Sequence, residues 1–578
     1  MKKEWKYLLE TPYHLEEEDV EWVQNTIQDM TVKEKAAQLF IVMNDKKEED
    51  KVKEFLQDYP VGGIRYRNME KEDVMLQNQM FQKYSKIPPF IAANCECGPN
   101  EVYKGAPFIA TEAELGAAGK SSWANQAGAA SGEICREVGV NWTFSPIVDV
   151  YLNGKNTIVN SRSYGDDPDQ ILELSKAYIQ GVHEHPVLCC AKHFPGDGVD
   201  DRDQHLVMSV NDQSCEEWDQ TNGKVYQELI DEGLETIMAG HIALPSYCKK
   251  LNPKLTDADI LPATLSKELL QGLLRKKMGF KGLIVTDASH MGGLYGTMPR
   301  QELVPRVIEA GCDMFLFAHD MEEDLNYMIQ GIEKGIITEE RLQSALEHIL
   351  GMKAHLGLHK KQGHSRDTAS EQVSRQYAQI EEEIADGAVT LVKDVKNYIP
   401  VNPKESPKVR LYFLTNAPET RLQKGNPVKE MVVEELERAG FQVDVNESLY
   451  EMEEKEVSPG NIPKIMKKPS IREFRESYDV VFIVVYMHGY SKENSVRVKY
   501  SFEHSNEIPW FNCEVPTIGI SLNFTNHLYD LPMLKTYINA YAPTRACIRA
   551  AIEKAAGKSE FKGKHNDTVW CGRWDTKV

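Results

Sequence analysis

Short apolar segments and longer amphipathic stretches alternate along the first 320 residues. The apolar segments are rich in β-branched and aromatic residues, and each is followed by a polar turn. They comprise residues 39–44, 61–67, 89–94, 140–150, 187–193, 236–245, 282–287 and 312–319. Continuous apolar runs that alternate with helices favour parallel strands covered on both faces. Eight such units predict an α/β fold built on a (β/α)8 TIM barrel.

Local signals mark the helices between these segments. Thr31 and Glu34 have the spacing of a capping box, and Ser266 precedes a helical stretch that stops at Gly279. Two further helical stretches, 322–335 and 337–357, follow the last apolar segment and are expected to close the barrel.

The pattern divides the chain into two domains. Residues 1–358 are predicted to form the barrel, and residues 359–376 are a polar stretch without core periodicity that is expected to be a linker. Residues 377–578 return to alternating apolar strands and amphipathic helices. This second domain is predicted to be a smaller αβα sandwich.

Charge argues against two classes of partner. The chain has 67 Lys and Arg against 88 Asp and Glu, a net charge of −21, which opposes attraction to nucleic acid or to an anionic membrane. A neutral small molecule or a sugar fits better. The first residues lack the apolar core of a secretion signal, and no run has the roughly 20 apolar residues of a membrane helix, so we expect a cytoplasmic protein.

Cysteine spacing does not predict a metal site. The 11 cysteines form no paired CxxC clusters and are expected to be reduced, mostly buried thiols. We expect neither a metal nor a cofactor.

Asp287 is the first candidate for chemistry. It ends the apolar run of the seventh predicted strand, and active sites of TIM barrels lie at the carboxyl ends of the strands. A buried, uncompensated charge costs several kcal/mol, so such a residue needs partners or a task. The alternative is that Asp287 is the N-cap of a helix starting at Ala288.

The fifth predicted strand leads into the segment richest in polar residues. Lys192 and His193 stand at its end and are suited to donating hydrogen bonds to ligand hydroxyls. The following loop carries Asp203 and His205, spaced so that the carboxylate can orient the imidazole for proton transfer. The alternative is an acidic, solvated loop with a surface histidine.

Other polar residues follow further strands. They are Asn94, Glu96, Asp149, Arg162 and His241. Each alone is compatible with a structural hydrogen bond, but together they would line one rim, as a binding pocket requires.

These segments resemble glycoside hydrolase family 3, and specifically its β-N-acetylglucosaminidase branch. The matching stretches run in order through MTVKEKAAQLF, VGVNWTFSPIVDV, NSRSYGDDPD, AKHFPG, IMAGHIALP, GFKGLIVTDA and AGCDMFLFA. They span nearly all of the predicted barrel. The closing segment GKSEFKGKHNDTVWCGRWDT is similar to the tail of two-domain members.

The resemblance implies a retaining exo-acting hydrolase of terminal β-linked N-acetylhexosamine. It places Asp287 as the nucleophile and the Asp203–His205 dyad as the general acid/base. Lys192, His193, Arg162, Asn94 and His241 fall on sugar-binding or rim positions. Because a histidine base does not repel an anionic acceptor, phosphate is expected to compete with water.

Two motifs depart from the family pattern. The expected GHG after the proline is Gly196-Asp197-Gly198, and the expected Asp-x-Glu-Gly-Gly begins with Asn94 and lacks the arginine that should follow it. These changes bear on which sugar and aglycone are accepted rather than on the reaction.

Two alternatives remain. One is a family 3 β-glucosidase or β-xylosidase whose acid is a glutamate of the second domain, with Glu503 and Glu507 as candidates. The other is a sugar-binding protein that kept the barrel without activity.

Overall fold

The chain forms two compact units in the computed structural model. The model describes residues 3–360, 371–416, 427–447, 460, 467–487, 489, 491–492, 494–498, 500 and 506–578. Unit 1 comprises residues 1–109, 120–151 and 162–378, and unit 2 comprises residues 110–119, 152–161 and 379–578. The predicted linker 359–376 lies largely outside the described residues. The division into independently folding domains at residues 358 and 377 stays a prediction.

Ten short strands are described in unit 1. They are β1 (Phe40–Met43), β2 (Gly63–Arg65), β3 (Phe90–Ala93), β4 (Trp142–Thr143), β5 (Cys190–Phe194), β6 (Ser209–Val210), β7 (Thr236–Ala239), β8 (Ile242–Ala243), β9 (Leu283–Thr286) and β10 (Phe315–Leu316).

Eight of these strands close into a parallel barrel. One run has the order β10-β1-β2-β3-β4 and another has the order β5-β7-β9. Single parallel bridges, Trp142 to Leu188 and Val285 to Met314, join the two runs at both seams. The ring order is therefore β1, β2, β3, β4, β5, β7, β9 and β10, and the predicted (β/α)8 barrel is confirmed.

The helices of unit 1 other than short 3-10 helices precede, separate and follow the barrel strands. They are Glu17–Asp29, Val32–Gln38, Glu49–Asp58, Lys71–Tyr84, Ser121–Val138, Pro168–Val182, Cys215–Gln220, Asn222–Asp231, Pro245–Leu251, Glu268–Lys277, Gly292–Tyr295, Arg300–Ala310, Met321–Glu333 and Glu339–His355.

The predicted helix signals are present. Thr31 and Glu34 form the capping box, and the Ser266 hydroxyl accepts from the Leu269 amide at 3.2 Å. Gly279 ends the helix with a φ of +75°, a left-handed conformation that glycine adopts without steric cost.

The predicted segment 236–245 is two strands rather than one. β7 pairs with β5 and β9 inside the barrel, whereas β8 leaves it and pairs with β6. The chain turns at Gly240, whose amide donates to the Phe194 carbonyl at 2.8 Å. As a result, the loop between β5 and β6 is tied to the chain that leaves β7.

A buried ionic cluster holds the start of β9. The Asp313 carboxylate contacts Arg275, Arg341 and His348 and accepts from the Ile284 amide at 2.8 Å. Burial alone would raise the pKa of Asp313, but His348, Arg275 and Arg341 bring it far below its ordinary value. The cluster joins β9 to the helices that carry these side chains.

Unit 2 is a sandwich around a six-stranded sheet. Its strands are β11 (Thr390–Asp394), β12 (Lys408–Thr415), β13 (Gln442–Val445), β14 (Val480–Tyr486), β15 (Thr517–Ser521) and β16 (Thr536–Asn539). They are arranged in the order β11-β16-β15-β14-β12-β13, and only β11 is antiparallel to its neighbour.

Helices lie on both faces of this sheet. Phe474 of helix Ile471–Ser477 packs in one apolar cluster with Tyr412 and Ile483 of the sheet. Helices Pro427–Ala439 and Arg545–Ala555 are linked by the Arg438–Glu553 ion pair, and Phe441, just after the first of them, contacts Phe482 on the opposite face. The predicted αβα sandwich is confirmed.

Further helices of unit 2 include the short segments Asp567–Trp570 and Asp575–Lys577 near its end. Glu112–Ala118 lies in residues 110–119, His527–Tyr529 follows β15, and Glu371–Ala388 begins inside the predicted linker and extends into unit 2. Among the described residues, no helix combines the length and the apolar character needed to cross a bilayer.

Candidate active site

The carboxyl ends of the barrel strands bring most of the predicted site residues to one mouth. Asn94 directly follows β3, Lys192 and His193 lie in β5, and Asp287 directly follows β9. His241 stands two residues after β7. Arg162 ends the short helical turn Asn160–Arg162 between β4 and the next helix.

Asp287 is a buried carboxylate surrounded by imidazoles. Its backbone amide donates to the Ala239 carbonyl at 2.8 Å, which fixes the chain at the end of β9. Burial alone would raise the pKa of Asp287, but His193, His241 and His205 lower it below its ordinary value. The carboxylate is therefore ionised at neutral pH.

The helix N-cap alternative for Asp287 is wrong. The carboxylate accepts from the adjacent Ala288 amide at 2.7 Å, and the next helix, Gly292–Tyr295, begins five residues later with Met291 as its N-cap. Residues 288–291 instead form a turn beside the mouth.

Asp149 orients His193 toward the nucleophile candidate. One carboxylate oxygen of Asp149 accepts from the His193 Nδ1 atom at 2.8 Å, and the other accepts from the backbone amides of His193 and Asp197. With Nδ1 engaged, the His193 Nε2 atom faces the Asp287 carboxylate at 3.9 Å. Asp149 is completely buried and acts on the site through His193.

His241 supports the turn after Asp287. Its Nε2 atom lies 3.0 Å from the Ala288 carbonyl, and its Nδ1 atom lies 3.1 Å from the Thr264 hydroxyl. Burial lowers the pKa of His241, so the ring is neutral and Nε2 is the donor. Both ring nitrogens thus bind protein atoms, which makes His241 a positioning residue for Asp287 rather than a donor to a ligand.

Asp203 and His205 form a close pair in the loop between β5 and β6. The His205 Nδ1 atom is 2.7 Å from the Asp203 Oδ1 atom, and the His205 amide donates to the same oxygen. Asp203 is 2 % exposed, so the alternative of a solvated surface loop is wrong. The carboxylate leaves the His205 Nε2 atom as the working nitrogen.

Gln204, the residue between them, anchors the pair. Its side-chain oxygen accepts from the His241 amide at 2.8 Å, and its side-chain nitrogen donates to Asp197 at 3.2 Å. The Gly293 amide donates to the Gln204 carbonyl and the Gly292 amide donates to the His205 carbonyl. The pair is thereby fixed to the segment that follows Asp287.

Glu96 joins two predicted sugar-binding cations. Lys192 Nζ lies 2.6 Å from Glu96 Oε1, and Arg162 binds both carboxylate oxygens, at 2.7 and 2.9 Å. Burial alone would raise the pKa of Glu96, but Arg162 and Lys192 bring it far below its ordinary value. Glu96 thus holds both cations in place and provides the negative charge that each of them contacts.

Asn94 belongs to a separate polar group on the same rim. Its amide nitrogen lies 3.2 Å from Glu101 Oε2, and the same oxygen lies 3.7 Å from Arg65 Nη2. These side-chain contacts join Asn94 to Glu101 and Arg65, whereas Glu96 is joined to Lys192 and Arg162.

Sequence reasoning missed several residues of this site. Glu96 and Asp149 were visible as polar residues after strands, but their roles as partners of other site residues were not predicted. Glu101, Arg65 and Gln204 carry no local signal, since each acts through a partner that is distant in sequence or hidden within a loop.

A closed barrel whose mouth holds a buried ionised carboxylate beside a second group able to transfer protons is compatible with an enzyme that cleaves glycosidic bonds. The family model described as glycosyl hydrolase family 3 N terminal domain matches residues 31–352. The chain belongs to glycosyl hydrolase family 3 and is a glycosidase that acts on carbohydrate substrates.

Two curated relatives differ in how much of the chain they match. A β-N-acetylglucosaminidase/β-glucosidase of Cellulomonas fimi is 34% identical over 580 residues, covering 99% of this chain and 100% of its own length. A β-hexosaminidase of Hydrogenovibrio crunogenus is 32% identical over 185 residues, covering 32% of this chain and 48% of its own.

Solved structures match along the whole chain. The β-glucoside phosphorylase BglX is 35% identical with a TM-score of 0.89, covering 99% of this chain and 100% of its own. A family 3 β-N-acetylglucosaminidase from Paenibacillus sp. str. FPU-7 is 23% identical with a TM-score of 0.76, covering 93% and 98%. At this identity the second likeness supports the fold alone.

Replacing Glu96 by glutamine should damage both stability and activity. The Glu96→Gln variant leaves Lys192 and Arg162 buried without their counter-charge, which costs about 3 to 5 kcal/mol of unfolding free energy. The released cations would also shift, so we expect kcat/KM to fall at least ~100-fold. Thermal unfolding and glycoside hydrolysis measure the two effects.

Glu137→Gln is the matched control. Glu137 is similarly buried, with a side chain 5% exposed, and pairs with Lys71 at 2.6 Å away from the mouth. It should lose stability and keep kcat/KM. Equal losses of activity in the two variants would contradict a site role for Glu96.

Proposed function

We propose that this protein is a retaining, exo-acting β-glycosidase that removes a terminal β-linked N-acetylhexosamine. The observation that carries the proposal is the Asp203–His205 pair, fixed through Gln204 to the segment that follows Asp287. An oriented imidazole beside an ionised carboxylate supplies the two groups that a two-step displacement requires.

Asp287 is the proposed nucleophile. Its lowered pKa keeps it ionised, and the hydrogen bond from its amide to Ala239 holds it at the end of a rigid strand. In the first step a carboxylate oxygen attacks the anomeric carbon while the bond to the leaving oxygen breaks. The product is a glycosyl-enzyme ester with inverted configuration.

His205 is the proposed acid and base. As an imidazolium it transfers the Nε2 proton to the leaving oxygen, while its Nδ1 proton stays on the hydrogen bond to Asp203. In the second step Nε2 takes a proton from water as the water oxygen attacks the anomeric carbon and releases Asp287. Two inversions restore the β configuration.

Lys192, Arg162, His193 and Asn94 are the proposed sugar-binding residues. Lys192 and Arg162 are oriented by Glu96, and His193 is oriented by Asp149, so each presents a donor in a fixed direction. We assign His241 to support of the Asp287 turn, because both of its ring nitrogens bind protein atoms.

Phosphate is a proposed alternative acceptor. A neutral His205 base does not repel an anion, whereas a carboxylate base would. A second candidate function, phosphorolysis of β-glucosides, is favoured by the full-length likeness to the β-glucoside phosphorylase BglX at 35% identity. The Cellulomonas fimi relative, named for both glucoside and N-acetylglucosaminide activity, leaves both sugars as candidates.

The alternative acids of the second domain are less favourable. Glu507 is 4% exposed in unit 2, and its charge contributes to raising the pKa of Tyr412 and Tyr500. Glu503 lies outside the described residues. A sugar-binding protein without activity would not need a proton-transfer pair fixed beside an ionised carboxylate.

Side-by-side assays identify the sugar and the nucleophile. Wild-type protein should release 4-nitrophenol from the β-N-acetylglucosaminide faster than from the β-glucoside. Asp287→Asn should lower kcat at least ~10⁴-fold on both, since an amide is not a nucleophile at carbon. The exposed Asp231→Asn variant is the control and should match wild type. Activity on the glucoside alone would favour the second candidate function.

Removing His205 should slow hydrolysis according to the leaving group. His205→Ala should lose roughly 10²- to 10⁴-fold in kcat/KM for alkyl glycosides and much less for 2,4-dinitrophenyl glycosides, because a good leaving group needs no proton.

The Arg202→Lys variant, changed in the same loop at a side chain 52% exposed, is its control. It should retain wild-type kinetics on both leaving groups. Equal losses of His205→Ala on both leaving groups would argue against an acid role.

Inorganic phosphate should compete with water for the glycosyl-enzyme. At saturating inorganic phosphate we expect a sugar 1-phosphate with the β configuration of the substrate, because phosphate replaces water in the second displacement. Phosphorus NMR detects the product directly. If only free sugar forms at high phosphate, the acceptor proposal fails while the hydrolase proposal stands.

A further inference from the structure

A carboxylate stands on the rim at the β2–β3 side of the mouth. Glu101, in the loop after β3, lies 3.2 Å from the Asn94 amide nitrogen and 3.7 Å from Arg65 at the end of β2. Its side chain is 27% exposed, so it is not sealed inside the protein. We call Arg65, Asn94 and Glu101 the β2–β3 carboxylate cluster.

The ring order places this cluster across the mouth from the nucleophile candidate. In the order β1, β2, β3, β4, β5, β7, β9, β10, the third strand is opposite the seventh. Asn94 follows the third strand and Asp287 follows the seventh. The cluster and Asp287 therefore face each other over the space between them.

The two ends of a pyranose ring can face these two sides of the mouth. Its C1 and C4 atoms are on opposite sides of the ring, so a terminal sugar with C1 at Asp287 directs its C4 hydroxyl toward β3. Glu96, two residues beyond Asn94, binds Lys192 and Arg162. The end of the sugar remote from the scissile bond thus approaches Glu101.

The chemistry of the cluster suits a hydroxyl. An ionised carboxylate only accepts hydrogen bonds, and a sugar hydroxyl donates one readily. Asn94 and Arg65 hold Glu101 from two neighbouring strands, so the carboxylate is presented in one orientation. A charge-assisted bond of this kind is among the stronger ones.

We infer that Glu101 is a specificity-determining residue that accepts a hydrogen bond from the C4 hydroxyl of the terminal sugar. The inference rests on the proposed function, which places C1 at Asp287. It assigns the selection of the C4 configuration to a residue supplied by the loop after β3, with Arg65 as a positioning residue and Asn94 as a sugar-binding residue that also contacts Glu101.

The test combines an enzyme change with a substrate change. Kinetics of wild type and Glu101→Gln are measured on the 4-nitrophenyl β-glycoside that wild type cleaves faster, and on its 4-deoxy and 6-deoxy analogues. Glu101→Gln should lose about 10- to 100-fold in kcat/KM on the parent and the 6-deoxy glycoside. It should lose less than about 3-fold on the 4-deoxy glycoside.

An exchange variant tests the carboxylate itself. Asn94→Asp combined with Glu101→Gln moves the carboxylate to the neighbouring position while keeping one amide, and should recover at least about 10-fold of the lost kcat/KM. Glu70→Gln is the control, since Glu70 forms an exposed ion pair with Lys104, and it should match wild type.

Two results would overturn the inference. They are equal losses on the parent and the 4-deoxy glycoside, and an exchange variant no better than Glu101→Gln. Failure of the proposed function would show separately, as a wild-type protein inactive on both parents or an active Asp287→Asn variant. In that case calorimetric binding of the free parent sugar and its 4-deoxy analogue gives the same comparison without chemistry.

Discussion

Buried negative charge is the constraint on which this active-site mouth depends. Asp287, Glu96 and Asp149 are each 9% exposed or less, and a carboxylate in such a place is stable only if cations or hydrogen-bond donors surround it. Imidazoles surround Asp287, Lys192 and Arg162 bind Glu96, and amides with one imidazole satisfy Asp149. The groups that compensate these charges include the residues proposed to bind the sugar.

The barrel makes this compensation possible because its parallel strands all end at one mouth. Charges carried by β3, β5 and β9 are far apart in sequence, yet closure through the Trp142 and Val285 bridges brings them together. The Asp313 cluster holds the start of β9 against the outer helices through the Ile284 amide. At the end of the same strand, the Asp287 amide donates to the Ala239 carbonyl. Rigid supports of this kind keep a reacting group in register with its substrate.

The loop between β5 and β6 joins the Asp287 side of the mouth to the Asp203–His205 pair. β6 pairs with β8, Gln204 binds the His241 amide, and the His205 carbonyl accepts from Gly292. Asp197, where the family pattern has a histidine, takes part through Gln204 and leaves the Asp203–His205 pair intact. Asp197 therefore forms a hydrogen bond with Gln204, and the Asp203–His205 contact is unchanged by this departure in sequence.

The sequence by itself determined the elements and the principal residues of the site. The eight apolar segments, the capping box at Thr31 and the stop at Gly279 follow from local periodicity and backbone preference, and Asp287 was evident as a charge ending an apolar strand. Only the tertiary structure decided which side chains meet. The division of segment 236–245, the approach of Glu101 to Asn94 and Arg65, and the support of Asp287 by His241 depend on contacts between distant residues, and local patterns carry no information about such contacts.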